Sequence, residues 1–218
     1  LRHVDFAGIK NATKLCFACF FKKTNIMKNI LFILVACFAG LNVNAQNTTP
    51  LPLTPANQNE WLNYARNMYF AFGTDNCPQQ TLLNYLESID IQNNPLFNAY
   101  KSVAALTSAE CIDGLFSKLA AWNKAKPVFD SIVAANPNNP EIHFLQLGIA
   151  INAPSIANYS SFINPDANIL ITSIINNPNV FNDKAYTVRV INWIFKHFDT
   201  LTAQQQSQLN AIKENLSQ

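Results

Sequence analysis

From Gln58 onward the apolar residues recur every three to four positions, which is the spacing of a helix face and not the alternation of a strand. Trp61, Tyr64, Ala65, Met68 and Phe72 form one stripe, Leu82, Leu83, Leu86 and Ile89 the next, and Leu96, Tyr100, Val103, Ala104 and Thr107 a third. Further along, Ile171, Ile174 and Ile175 mark a helix. Thr187, Val190, Ile191, Ile194 and Phe198 mark a stronger one, and Leu209, Ile212 and Leu216 give a thin stripe near the end. No segment alternates for long enough to predict a strand. The expectation is an all-α fold of about eight helices arranged as helical hairpins.

The punctuation supports this. Asn94-Pro95, Asn139-Pro140 and Asn164-Pro165 each place an asparagine at an N-cap and a proline at the first helical position, where its missing N–H costs nothing. Cys77-Pro78 suits the same role, Asn177-Pro178 suits a helix end, and Thr202 with Gln205 spells a capping box.

One junction has the spacing of a tetratricopeptide repeat. Ala125, Phe129, Ile132 and Pro137 match its second helix and terminating proline, and Phe144, Leu147, Gly148 and Ile151 match the next first helix. The pattern then stops, because Ser160 and Asn164 stand where the next Ala and Phe are due. Tetratricopeptide-like packing is therefore predicted for one junction and not for an array.

The residues ahead of Gln58 have a different character. Met27-Lys28-Asn29 opens a short basic start, Ile30 to Gly40 is apolar, and Val43 and Ala45 occupy the −3 and −1 positions of a cut before Gln46. These are the parts of a secretory signal peptide over 27–45, and the apolar run is too short for a membrane-spanning helix. Residues 1–26 read as an upstream extension, 46–57 as a Pro-rich flexible linker and 58–218 as a single α-helical domain. The expected location is exported, either periplasmic or secreted. Cys37 follows Leu34-Val35-Ala36 in the manner of a lipobox, an alternative lipid anchor, but only seven apolar residues precede it. Cys16-x-x-Cys19 lies in the extension and has no second pair to make a zinc site.

Processing changes the arithmetic. The full chain holds 15 Lys/Arg and 13 Asp/Glu; six of the former and one of the latter precede Gln46, leaving 9 against 12, a net charge of −3. No Lys/Arg cluster remains to meet a nucleic-acid backbone. Two cysteines remain, Cys77 and Cys111, either as a disulfide or as two separately buried thiols.

Sequences similar to residues 94–171 occur in an uncharacterised family of exported α-helical proteins from Gram-negative bacteria. The resemblance is carried by Pro95, Ala99-Tyr100-Lys101, Lys118, Lys124-Ala125-Lys126, Pro137-Asn138-Asn139, Glu141-Ile142-His143-Phe144-Leu145, Asn152, Pro154, Tyr159, Ile163 and Asp166. It implies helical fold and export, and no reaction. Arginine stands in the similar sequences where this chain has His143, and lysine where it has Ala167.

Candidate chemistry is sparse. Glycine-rich loops, Gly-x-Ser-x-Gly and His-Glu-x-x-His are missing from the sequence, so no cofactor or metal is implied. His143 and Gln146 share a narrow face of the otherwise apolar helix from Glu141 to Ile151. That face reads as a solvent-facing strip, or as the wall of a pocket with Tyr100, Lys101 and Glu141 as further ligand-binding candidates. His197, beside Lys196 near a helix end, suits the helix dipole. Glu87 and Asp90 share a face that would suit a metal, or more simply solvent. Tyr64, Tyr69, Phe70 and Phe72 surround their helix too fully to be buried by one neighbour, and Trp193 lies off its stripe near Arg189 and Lys196, so either group could anchor a partner. Two functions follow: an exported domain that binds a protein or peptide, or scaffolds an assembly in the cell envelope, through a groove between hairpins, or an enzyme or small-ligand binder of unfamiliar type centred on His143.

Overall fold

A computed structural model describes residues 51–218, apart from positions 53, 55, 75, 92 and 154–158. The upstream extension, the signal peptide, the Cys16–Cys19 pair and Cys37 lie outside the described residues. Among the described residues there are eight α-helices: α1 (Gln58–Tyr69), α2 (Pro78–Glu87), α3 (Pro95–Thr107), α4 (Leu115–Ala135), α5 (Pro140–Asn152), α6 (Ile163–Asn176), α7 (Lys184–His197) and α8 (Ala203–Leu216). The expected all-α fold is thus observed. One minor addition is a parallel pairing of two-residue strands, β1 (Leu51–Pro52) and β2 (Ile89–Asp90).

The Asn-Pro starts work as their chemistry dictates at two of three places. The Asn94 side chain accepts from the Leu96 and Phe97 amides, and the Asn139 side chain from those of Glu141 and Ile142. Pro78 opens α2 after Cys77, whose left-handed backbone (φ +45°) turns the chain into the helix. Asn177 ends α6, and Thr202 and Gln205 form the reciprocal capping box of α8. Asn164-Pro165 is the exception. A short 3-10 turn at Ser160–Phe162 feeds straight into α6 at Ile163, so Pro165 sits in the first turn instead of opening it. Nothing is lost, because the first amides of a helix have no intrahelical acceptor.

Two cores share α5. One gathers Leu82, Leu86, Phe97, Val103, Phe129, Ile142, Leu145 and Ile149; the other gathers Phe144, Leu147, Leu170, Ile174, Val190, Ile194 and Leu209. Opposite faces of α5 supply both sets. Eleven consecutive residues, Pro140–Ala150, are buried, which explains a helix apolar on all sides. Conversely, the first six residues of α4 are exposed, and that helix enters the core only beyond Trp122, at Phe129 and Val133. Cys77 and Cys111 are joined in a disulfide with a Cα–Cα distance of 6.0 Å, tying the start of α2 to the 3-10 turn Ser108–Cys111 that follows α3. No helix among the described residues is long and apolar enough to cross a membrane.

Candidate functional site

Burying α5 on all sides forces each of its polar residues to find a buried partner. Glu141, in its first turn, meets Arg66 of α1 in a two-pronged ion pair: Nε donates to Oε1 at 2.8 Å and Nη2 to Oε2 at 2.7 Å. Arg66 Nη2 also donates to the Phe181 carbonyl at 3.1 Å, and its guanidinium lies 4.1 Å from the Tyr186 ring centre. The Tyr100 hydroxyl donates to Glu141 Oε1 at 2.8 Å and lies 3.2 Å from the Tyr186 hydroxyl. Burial alone would lower the Arg66 pKa; the hydrogen bond and charge of Glu141 outweigh it and hold the group above its ordinary value. Burial, then the Glu141 charge, pushes the Tyr100 and Tyr186 phenols well up, so both remain protonated donors.

His143 and Gln146 do not face solvent. They are 6% and 3% exposed and converge on Asp166 of α6, itself 2% exposed. His143 Nδ1 is 2.7 Å from Asp166 Oδ1, and Nε2 is 2.9 Å from the Pro137 carbonyl. With its amide oriented to satisfy its neighbours, Gln146 donates to both Asp166 oxygens at 3.2 and 3.0 Å. The expected solvent strip is instead a polar seam that fastens α5 to α6.

The hydrogen bond to Asp166 raises the His143 pKa against the opposing effect of burial, whereas burial pushes the Asp166 carboxyl up against the pull of His143. The two shifts act in the same direction, so the folded pair holds its protons more tightly than the unfolded chain does, and the Pro137 carbonyl, which can only accept, takes the Nε2 proton. A histidine raised above its unfolded value of 6.5 contributes stability that is complete below that pH and is lost as pH rises through the folded value. The urea midpoint of the wild type should therefore exceed that of His143→Asn most at about pH 6, with the gap narrowing toward pH 9.

The sequence candidates thus fall into two buried clusters. Tyr100 joins Glu141, and His143 joins Gln146, while Lys101 takes part in neither. Arg66, Asp166, Asp183 and Tyr186 join these clusters and were missed; Asp183 Oδ2 lies 3.5 Å from Arg66 Nη1. Glu87 and Asp90 are exposed, and among the described residues no group of three or more His, Cys, Asp or Glu could hold a metal.

Two clefts open at opposite ends of α5. One, of about 880 Å³, is lined by Arg66 and Glu141 together with Asn59, Asn63, Asn138 and Asn182. The other, of about 590 Å³, lies where the two cores meet at the C-terminal end of α5. Its aromatic lining is Tyr69, Phe70, Phe72, Trp122 and Trp193, and its charged lining is Arg189, Lys196, His197 and Glu110. One face of α7 carries Arg189, Asn192, Trp193 and Lys196 at helical spacing. Arg189 lies 4.1 Å from the Phe70 ring centre and donates to Asn67. His197 stacks on Trp193 at 4.5 Å, and burial followed by the charge of Lys196 holds its pKa below the ordinary value. At neutral pH the cleft cations are thus Arg189 and Lys196.

Gly148 sets the cleft floor. A Cβ there would lie 1.9 Å from the Tyr69 hydroxyl oxygen. The Tyr69 ring is wedged edge-on against Phe72, Tyr100 and Phe144, so it cannot swing aside. Gly148→Ala should cost about 1–3 kcal/mol by overpacking. Tyr69→Phe, which removes the clashing oxygen, should recover part of that loss in a double-mutant cycle read by urea denaturation.

Comparison with protein-family models, with curated proteins and with solved structures finds no match to this chain.

Proposed function

We propose that this chain is an exported, helical-hairpin binding domain that takes an apolar, carboxylate-bearing peptide segment in the aromatic cleft between its two cores. The observation that carries the reading is the composition of that cleft: five aromatic side chains with Arg189 and Lys196 against the single carboxylate of Glu110. Buried aromatics with arginine are the groups that contribute most at protein interfaces, and a surplus of positive charge selects an acidic partner. A disulfide between Cys77 and Cys111 fits an oxidising compartment, in keeping with the signal-peptide pattern. Tetratricopeptide-like pairing at the α4–α5 junction is compatible with such a groove.

The alternative, a small-ligand or enzymatic site around His143, has less support. Both ring nitrogens are engaged, and His143, Gln146 and Asp166 line neither cleft.

Calorimetric titration with a short peptide bearing two phenylalanines and two carboxylates, beside its lysine-for-glutamate counterpart, tests the proposal. Micromolar binding of the acidic peptide alone is expected, weakening with salt. Trp193→Ala should reduce affinity about tenfold or more, and Lys196→Glu several-fold with loss of the salt dependence. Equal binding of both peptides, no binding of either, or indifference to both substitutions would overturn it.

A further inference from the structure

The start of α4 leaves an apolar projection uncovered. Ile112, Leu115, Phe116 and Leu119 are 36%, 68%, 87% and 38% exposed, where among the described residues only Val128 and Phe162 are otherwise exposed large apolar side chains. Six exposed residues in a row, Leu115–Ala120, stand clear of the core. A lone exposed leucine needs no explanation, but Leu115, Phe116 and Leu119 within the first two turns of α4, with Ile112 just ahead of it, concentrate four exposed apolar side chains in eight residues.

Its position relative to the aromatic cleft is informative. Projection and cleft adjoin, with the cleft-lining Glu110 just before the projection and the cleft-lining Trp122 just after it, one turn beyond Leu119 on the same helix. That is the arrangement a two-fold contact requires, because in an isologous interface each copy must present both halves of the contact on the same patch. The chemistry also matches. The projection is aliphatic and aromatic with an exposed carboxylate, Asp113, at its tip, and Lys118 is turned back to donate to the Glu110 carbonyl at 3.2 Å. The cleft is aromatic with Arg189 and Lys196.

We infer that the chain forms a two-fold homodimer in which Leu115 and Phe116 of each copy enter the partner's aromatic cleft, with Asp113 set against Lys196. The inference rests on reading the cleft as a site for apolar, acidic chain, and it makes the chain's own α4 start the resident occupant that any peptide must displace. Peptide binding and self-association then oppose one another.

Sedimentation velocity of the wild type, of Phe116→Ser, of Lys196→Glu and of Asp113→Lys/Lys196→Glu tests it, with circular dichroism melting as the control for folding. Phe116 and Asp113 are exposed and α4 starts away from the core, so these variants should fold as the wild type does. Expected are a wild-type dimer, a monomeric Phe116→Ser, a dimer weakened about tenfold in Lys196→Glu and recovery in the double charge swap. Titrated with the acidic aromatic peptide, Phe116→Ser should bind more tightly than the wild type. A wild type that stays monomeric at high concentration, or a dimer indifferent to both single substitutions, overturns the inference. A monomeric wild type that still takes the peptide leaves the peptide reading standing, whereas a dimer dispersed by Phe116→Ser with no peptide binding removes that reading and keeps the dimer.

Discussion

Replacing Arg66 with methionine should lower the stability of the chain by about 3–5 kcal/mol, because it leaves the Glu141 carboxylate buried without its counter-charge. The carboxylate is 4% exposed, and with Arg66 gone it retains the Tyr100 hydroxyl and its place in the first turn of α5. One phenol does not replace a guanidinium that engages both oxygens. The loss should be read as a drop in the urea midpoint at unchanged slope, since the native surface does not change. Two further variants separate the cost of an orphaned charge from the worth of the pair. Arg66→Met with Glu141→Leu should recover most of the stability, since replacing a buried ion pair by apolar groups of similar size is close to neutral. Tyr100→Phe should cost only about 1–2 kcal/mol, the cost of one hydrogen bond to a charged acceptor. If Arg66→Met alone proved neutral, the ion pair would not be what holds α1 to the start of α5.

That cluster also shows where sequence reasoning stops. The helix starts at Asn94-Pro95 and Asn139-Pro140 were legible because capping is local: the acceptor and the donors it serves are two and three residues apart. The Arg66–Glu141 bond spans 75 positions, and no local pattern pairs them. His143 and Gln146 were misread for a different reason. Their three-residue spacing suits a solvent-facing strip, but a helix apolar on every other side must be enclosed, and its polar residues then need buried partners. The composition of α5 alone carries that requirement. Asp166, the acid in the first turn of the next helix, is the partner such a helix requires. The Asn164-Pro165 start failed because proline is tolerated throughout the first turn, so the dipeptide marks a helix beginning only to within a turn. The aromatic cleft was half visible. Surplus rings around α1 and the off-stripe Trp193 were noted from periodicity, but their meeting across the end of α5 depends on Gly148 admitting Tyr69, a tertiary contact.

The second large effect is expected at Cys77 and Cys111. The bond closes a loop with a sequence separation of 34 that contains α2 and α3. Because α2 begins at Pro78 and α3 ends at Thr107, it ties the open end of that hairpin. On the chain-entropy account, removing a cross-link over such a loop costs about 3–4 kcal/mol, mostly by freeing the unfolded chain. Cys77→Ser/Cys111→Ser should show that loss in urea, and wild type unfolded with reductant should match it. The local consequence separates the disulfide from the ion pair. Cys111 is followed directly by Ile112 and the projecting start of α4, and Thr107 and Glu110 line the aromatic cleft. Hydrogen exchange in the double serine variant should therefore quicken at residues 107–119 before it changes in α5, whose amides are protected by both cores. Arg66→Met should instead loosen the junction of α1, α5 and the start of α7, where its partners lie. If the serine variant lost stability with no change at residues 107–119, the bond would act on the unfolded chain alone, and the cleft rim would be held by the packing of α3 against α4.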